Sequence, residues 1–381
     1  MKKSAKLSLT LALMMGITGG VQLMDTNQAS AEVSDKARIE FNGVISYVHD
    51  KDNLGGYAVK GADAKDYEPY WNNYYRIQFN YYQSKNIKFQ ARLHSDYDSL
   101  GTDYGKTTSG AYFDQSFLEI KDPAAKVNYT LGKKGAYLGQ GLIHNSTGNL
   151  TGVQVSLGNW YDPTCLQLLY GQKKNGSTFK AVNFTHDIVK NWQFSTTYIN
   201  HDYHKALARN LGRVLFSGGA TDSNYNELHL LSVGSKVKAK AYTVQGEYVH
   251  NFSHNVSNNY AYKINNRYVV DDRKTSRNAW YIEVFTGPTS DMTSGLPLQK
   301  PGTNVWSLKY QDVGSNAVDS HNPTFVDNAR GFRLNYGHTF VKGLSADIAI
   351  ARMKDKCGNS YAEKPGHWKN YVMAEVSYKF R

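Results

Sequence analysis

Cysteine is nearly missing from this sequence of 381 residues. Cys165 and Cys357, 192 positions apart, build no disulfide framework and carry no C-x-x-C spacing for a metal or redox pair. Whether they pair with each other stays open. Proline is scarce, at 8 residues, so long extended segments can run without an interrupting ring. Long hydrophobic runs are missing too: mean hydropathy is −0.56, and no later stretch has the length of a membrane helix. A membrane of another kind is not excluded, because barrel strands alternate and cancel in any window average. Catalytic signatures are also lacking: there is no G-x-S-x-G, H-E-x-x-H, P-loop or G-x-G-x-x-G. The 12 histidines are scattered, and pairs such as His201 and His204 fall at presumed loop ends without acidic partners at metal spacing. Asp96, Asp98 and Gly101 have the spacing of a calcium loop, but its twelfth position is Thr107. We therefore expect no enzyme, no metal and no cofactor.

What the chain has in abundance is aromatic residues and glycine, with 29 Tyr, 15 Phe, 6 Trp and 33 Gly. That composition suits many strands with aromatic girdles. The first residues read as an export signal. Lys2, Lys3 and Lys6 precede the short apolar run Leu7 to Met15, and Ala29-Ser30-Ala31 fits a cleavage site before Glu32. Residues 1–31 are expected to be removed, leaving one domain over 32–381. Losing three lysines and one aspartate lowers the net charge from +12 to +10. A basic balance often marks nucleic-acid binding, but these charges are spread and the chain is exported. No nucleic-acid partner is expected; an interior that favours anions is.

The stretch NYYRIQFNYYQSKNIKFQARLH, residues 73–94, carries the main signal. Tyr75, Ile77, Phe79 and Tyr81 share one parity, and Arg76, Gln78 and Asn80 share the other. After Gln83–Asn86 the pattern resumes, with Ile87, Phe89, Ala91 and Leu93 against Lys88, Gln90, Arg92 and His94. A period of two over two runs joined by four polar residues is a β-hairpin with unlike faces.

The same reading along the chain yields sixteen strand candidates and no composition break marking a second domain. They are 37–48, 74–82, 87–95, 111–120, 126–133, 151–158, 165–172, 179–186, 191–200, 227–236, 239–250, 279–286, 304–312, 330–340, 344–353 and 370–380. Connections after even-numbered candidates are mostly short: Gln83–Asn86, Lys121–Ala125, Gly158–Thr164, Asp187–Lys190, Val237–Lys238 and Val341–Gly343. Those after odd-numbered ones are mostly long: 49–73, 96–110, 134–150, 201–226, 251–278, 313–329 and 354–369. Such alternation fits a transmembrane antiparallel β-barrel of about sixteen strands, with short periplasmic turns and long extracellular loops. Residues 287–303 break the rule and leave the exact strand count open. The run His204 to Phe216 is the one helix-like segment. In such a barrel the apolar parity faces lipid, and the Arg/Lys/Gln parity faces a water-filled interior wide enough for a channel.

The residues also resemble a family. The last strand, Tyr371 to Arg381, ends in Tyr378-Lys379-Phe380 and is similar to the closing strand of bacterial outer-membrane proteins, although Arg381 follows the final aromatic. YTLGKKGAYLGQGLIHNSTGNLTGVQVSLGN (129–159) resembles the strand–loop–strand around the constriction of sixteen-stranded porins. WSLKYQDVGSNAVDSHNPTFVDNARGFRLNYGHTF (306–340) resembles the closing region of porins of diderm Firmicutes, the Negativicutes. The first strand candidate follows the cleavage site too closely for the S-layer-homology module of many such relatives. The resemblance implies a homotrimer of barrels in outer-membrane lipid, each with its third long loop folded inward.

The expected inward positions are Arg38, Glu40, Arg76, Lys88, Arg92, Lys309 and Arg333, a mostly basic set that would concentrate anions. Lys133, Lys134 and Tyr137 open the third long loop and are expected to narrow the pore. The expected function is an outer-membrane porin passing small hydrophilic or anionic solutes, with mild anion preference. The alternative is a secreted or surface all-β binding or adhesion protein that uses Tyr/Asn-rich loops.

Overall fold

The computed structural model describes residues 37–50, 70–98, 111–158, 162–173, 176–202, 227–253, 260–264, 267–271, 277–287, 295–314, 317–319, 325–326, 329–356 and 368–380. Strands β1 to β4 are Arg38–Asp50, Tyr70–Ser84, Ile87–Asp98 and Tyr112–Asp122. Next come β5 Val127–Leu138, β6 His144–Leu157, β7 Thr164–Lys173 and β8 Thr178–Val189. The middle holds β9 Trp192–Asp202, β10 Glu227–Lys238, β11 Tyr242–Asn251, β12 Tyr260–Ile264 and β13 Arg267–Asp271. The rest are β14 Asn278–Thr286, β15 Asn304–Val313, β16 Ala329–Val341, β17 Leu344–Asp355 and β18 Trp368–Phe380. Sixteen of them form one closed antiparallel barrel, in which each strand pairs with its sequence neighbours and β1 pairs with β18. The strands β12 and β13 pair only with each other, as a small hairpin inside the connection between β11 and β14.

All sixteen candidates coincide with barrel strands, and the ambiguity at 287–303 is removed. Here β14 pairs directly with β15, from Ala279↔Val313 to Phe285↔Ser307. The connection between them is a long one that carries a 3₁₀ turn at Leu296–Leu298. Leu296 is fully buried against Val305, and Thr339 Oγ1 donates to its carbonyl at 2.9 Å. Two expectations need correction. The connection 251–278 contains the β12–β13 hairpin, and the third connection is far shorter than 134–150. Strand β5 continues past 133 to Leu138, and β6 already begins at His144. A register shift between Lys134 and Ala136 lets the ladder carry on through Ala136↔Ser146 to Leu138↔His144. The Gly-rich sequence there has no alternation to read, because a bulge breaks the period of two. The helix-like run His204–Phe216 and Cys357 lie outside the described residues; Cys165 is a buried free thiol.

Burial answers the question of faces. Strand β16 alternates strictly: Ala329, Gly331, Arg333, Asn335, Gly337 and Thr339 are buried, and Arg330, Phe332, Leu334 and Tyr336 are exposed. Large apolar side chains point outward all round the barrel, among them Phe41, Ile77, Leu131, Val153, Leu168, Val182, Val233, Ile282, Leu308 and Ile350. Polar groups such as Asn80, Gln90, Thr130, Gln167, Asn183, Ser195 and Gln245 are buried within. This is the reverse of a soluble protein.

Aromatic residues edge that outer band. At the end where the long connections leave, Trp280, Tyr310 and Phe332 form a chain of ring contacts, the first pair tilted and the second edge-to-face, with centroids 5.2 and 4.7 Å apart. At the opposite end Tyr336 Oη donates to Asn304 Oδ1 at 2.8 Å, and Trp192 Nε1 donates to Ser235 Oγ at 2.9 Å. From Phe332 to Phe340, a tilted strand climbs about 20 Å, close to the height of a lipid-facing band. Replacing Leu334 by arginine in the middle of this band should lower the unfolding free energy in lipid vesicles by about 2–4 kcal/mol. Denaturant titration with tryptophan fluorescence measures it, and a cost equal to that of Gln90→Arg on the inner face would contradict a lipid-facing band.

Candidate pore constriction

The interior is not empty. Beyond Ala136 the β5–β6 hairpin leaves the wall and reaches across the lumen, where inward side chains of distant strands hold its turn. Gly139 N–H donates to Asn183 Oδ1 of β8 at 3.0 Å, and the Gln140 side chain donates to Ser195 Oγ of β9 at 3.1 Å. Tyr281 Oη of β14 donates to the Gln140 carbonyl at 2.7 Å. Glu247 of β11 takes two backbone N–H groups on one carboxylate oxygen, from Gln140 at 3.0 Å and Leu142 at 2.8 Å. A carboxylate accepting turn amides is a strong, directional seat. Gly139 makes the approach possible: its φ is +62°, and a Cβ there would lie 2.0 Å from Glu247 Oε1.

Apolar packing finishes the docking. Leu138, Leu142 and Ile143 are almost completely buried, in a cluster with Leu169, Phe179, Ala181, Ile199, Leu230, Val249 and Ala279 from the inner wall. Burying side chains of this size is worth about 1.5–3 kcal/mol apiece. A second segment reinforces the first. In the β15–β16 connection Ala317, Val318 and Phe325 join the same cluster, and Asp319 N–H donates to the Ile143 carbonyl at 3.2 Å. The inner wall from β7 to β15 is thus covered near the loop end, and among the described residues the β1–β5 and β16–β18 side has no such cover.

The sequence-predicted residues divide between these regions. Arg38, Glu40, Arg76, Lys88 and Arg92 all lie on the inward parity of β1–β3, together with buried Ser46, Asn80 and Gln90. Arg38 Nη2 lies 2.9 Å from Glu40, and its guanidinium stacks 4.6 Å over Tyr82. Lys88 Nζ is 3.5 Å from Glu119. Arg92 forks onto Asp114, Nε at 2.8 Å and Nη2 at 2.6 Å, and His94 Nδ1 lies 3.3 Å from the same carboxylate. Lys309 and Arg333 share the inward parity but are only 4% and 6% exposed. Lys309 sits 3.7 Å from Glu283 and 4.2 Å over the Phe325 ring, and Arg333 Nε donates to Asn335 at 2.8 Å.

Of the three residues assigned to the constriction loop, Lys133 and Lys134 lie on the wall part of strand β5, and Tyr137 lies where that strand has turned into the inward hairpin. Lys133 pairs with Ser116 and donates to the Phe113 carbonyl at 2.7 Å; Lys134 lies 5.0 Å over the Phe117 ring. Tyr137 is at the root of the turn, with its ring against Gly141. The tip itself is Gly139-Gln140-Gly141-Leu142-Ile143.

Sequence reasoning missed the acids. Glu119, Glu283, Asp347 and Glu375 also face inward, and Asp114 does so because a register shift between Arg92 and Leu93 turns it toward the lumen. The interior therefore has paired charge of both signs and not a nearly unipolar basic wall. Glu247 was invisible as a seat, because its partners are backbone amides more than a hundred residues away. One signal was available. Phe179 and Ala181 on β8, and Leu228 and Leu230 on β10, put apolar residues on the inward parity where water was expected. Strands apolar on both faces mark a wall that something covers.

No protein-family model matches the chain, and no curated protein does. Solved structures with this fold do. The chain is similar to Salmonella typhi OmpF, solved in complex with daunomycin, at 12% identity and a TM-score of 0.55, over 91% of this chain and 98% of that one. It is similar to OmpT, an outer membrane protein of Vibrio cholerae in trimer form, at 9% identity and 0.51, over 91% and 100%. A mutant of the Rh. blastica porin matches at 10% and 0.50, over 90% and 100%. At these identities the likeness is one of fold: the sixteen-stranded barrel of bacterial outer-membrane porins.

Replacing Glu247 by alanine should leave the Gln140 and Leu142 amides without their acceptor, at about 1–3 kcal/mol for each buried group. Hydrogen exchange at residues 139–143 should then speed up while the wall strands stay protected. Unchanged exchange at the turn would show that packing alone holds it.

Proposed function

We propose that the chain is an outer-membrane porin, a water-filled diffusion channel for small hydrophilic solutes. In this reading residues 1–31 are a cleaved export signal, and residues 32–381 form one transmembrane barrel in outer-membrane lipid. The end with mostly short turns, 287–303 excepted, faces the periplasm, the end with mostly long connections faces outward, and three copies assemble as a homotrimer. The observation that carries it is the docked Gly139–Ile143 turn. Sixteen strands enclose more space than side chains fill, and among the described residues the chain narrows that space from the β7–β15 side. The apolar outer face weighs against the alternative of a soluble secreted binding or adhesion protein.

Selectivity follows from the remaining wall. Arg38, Arg76, Lys88, Arg92 and Lys134 are all partly exposed on the inward face of β1–β5, beside Glu40, Asp114 and Glu119. Paired charges cancel at a distance and act only locally. With Asp114, Asp347 and Glu375 buried, the half-exposed bases outnumber the half-exposed acids, which supports a mild preference for anions and not strong exclusion of cations.

The test is single-channel recording in planar bilayers under a salt gradient. Conductance should appear in groups of three steps, with a reversal potential on the anion side. Arg76→Gln combined with Lys134→Gln should bring that potential toward zero at nearly unchanged conductance. Absence of any conductance from correctly folded protein would overturn the channel reading.

A further inference from the structure

One connection at the short-turn end is far longer than its neighbour. The β16–β17 turn needs only Lys342 and Gly343 between its strands, whereas the β14–β15 connection runs from 287 to 303. Three of the chain's 8 prolines, Pro288, Pro297 and Pro301, fall in that stretch. Proline fixes φ in advance, so such a segment gives up little entropy on being held in one place. A long connection held rigid on a compact barrel is more often functional than a spacer.

Residues 295–303 of this connection are fastened to the inner wall. Leu296 buries its side chain on Val305, which points inward from β15. The Leu296 carbonyl accepts the inward Thr339 hydroxyl of β16 at 2.9 Å, and the Pro297 carbonyl accepts the Gly343 N–H at 3.2 Å. Lys300-Pro301-Gly302-Thr303 then makes a type II turn, in which Thr303 N–H donates to the Lys300 carbonyl at 3.1 Å and Gly302 has φ +81°. Gly302 N–H donates to the Thr339 carbonyl at 2.8 Å, and Thr339 N–H donates to the Thr303 carbonyl at 3.0 Å. The segment thus runs straight into the β15–β16 ladder. Its 3₁₀ turn lies inside the ring, across the inner face of β15 and β16 as far as the β16–β17 turn. With neighbouring strands about 4.8 Å apart, it covers about 10 Å of the circumference of that mouth.

Consecutive side chains of a 3₁₀ turn point about 120° apart. Leu296 and Pro297 are buried on the wall, so Leu298, 46% exposed, takes the direction away from it and into the mouth. Lys300 is exposed at the same mouth. We propose that residues 295–300 form a second constriction, at the periplasmic mouth, in which Leu298 limits the width and Lys300 favours small anionic solutes such as carboxylates and phosphates. The Gly139–Ile143 turn covers the wall from β7 to β15 near the loop end, and this segment covers β15 to β17 at the other. A solute therefore passes two narrow places in series, and each contributes to the resistance of the channel.

This inference rests on the channel reading, and the experiment separates the two. Leu298→Cys is made in a Cys357→Ser background, placed in planar bilayers and treated on both sides with a bulky, uncharged maleimide. Labelling should cut its single-channel conductance by roughly half, and the background alone should not change. Unchanged conductance at full labelling, or a thiol that the reagent does not reach, overturns the second constriction and leaves the channel standing. No conductance before labelling overturns both. Lys300→Glu tests the charge independently. Its reversal potential should move toward the cation side, and by more than that of Lys180→Glu, an exposed lysine on the outer face of β8. Equal shifts in the two variants would remove Lys300 from the constriction.

Discussion

A sheet in lipid cannot leave an edge, because no water is present to satisfy its N–H and C=O groups. Everything else in this protein follows from meeting that constraint with sixteen strands. The closing pairs run from Gly43↔Phe380 to Asp50↔Met373, between the first and last strands. At Gly43 the Phe380 ring lies so close that a Cβ would come within 2.5 Å of it. The aromatic end of the chain thus covers the seam with a side chain where the partner has none. Once the ring is closed, parity has only two destinations, and the apolar one is lipid.

Closure creates a second problem, since a ring of this circumference encloses more volume than its inward side chains can occupy. The solution is asymmetric. One hairpin and part of one further connection pack against the inner wall from β7 to β15, as a small apolar core placed inside a barrel whose outer face is also apolar. Buried carboxylates fasten it: Glu247 seats the turn through backbone amides, and Asp319 binds the second segment through two histidines and a lysine. The opposite wall keeps half-buried charges of both signs. The described residues thus leave the barrel with one packed inner side and one polar inner side.

The strands were legible because each had to alternate between two solvents, and alternation is written residue by residue. Tyr75 to Tyr81 against Arg76 to Asn80 needs no knowledge of anything distant. The failures cluster where a bulge or an inward loop breaks that rule. At Lys134-Gly135-Ala136 the ladder shifts register and goes on, so strand and loop could not be separated by parity. At Arg92 and Leu93 a similar shift turned Asp114 inward and paired a charge that had looked free to act alone. Lys309 and Arg333 were placed on the correct face, yet that face is covered there by Phe325 and its neighbours.

Sequence by itself pointed to about sixteen strands, their two unlike faces and an antiparallel barrel, because alternation acts on every residue in the same local way. The pairing of β14 with β15 fixed the count at sixteen. Only the tertiary structure decided what fills the ring. His144, Lys173, His201 and Asp319 are spread over 175 positions and carry no shared spacing. They meet because the barrel brings β6, β7 and β9 side by side and the β15–β16 connection folds back onto them. A wall charge acts as a selector or as a strut according to what lies across from it, and that is set by chain segments far away in sequence.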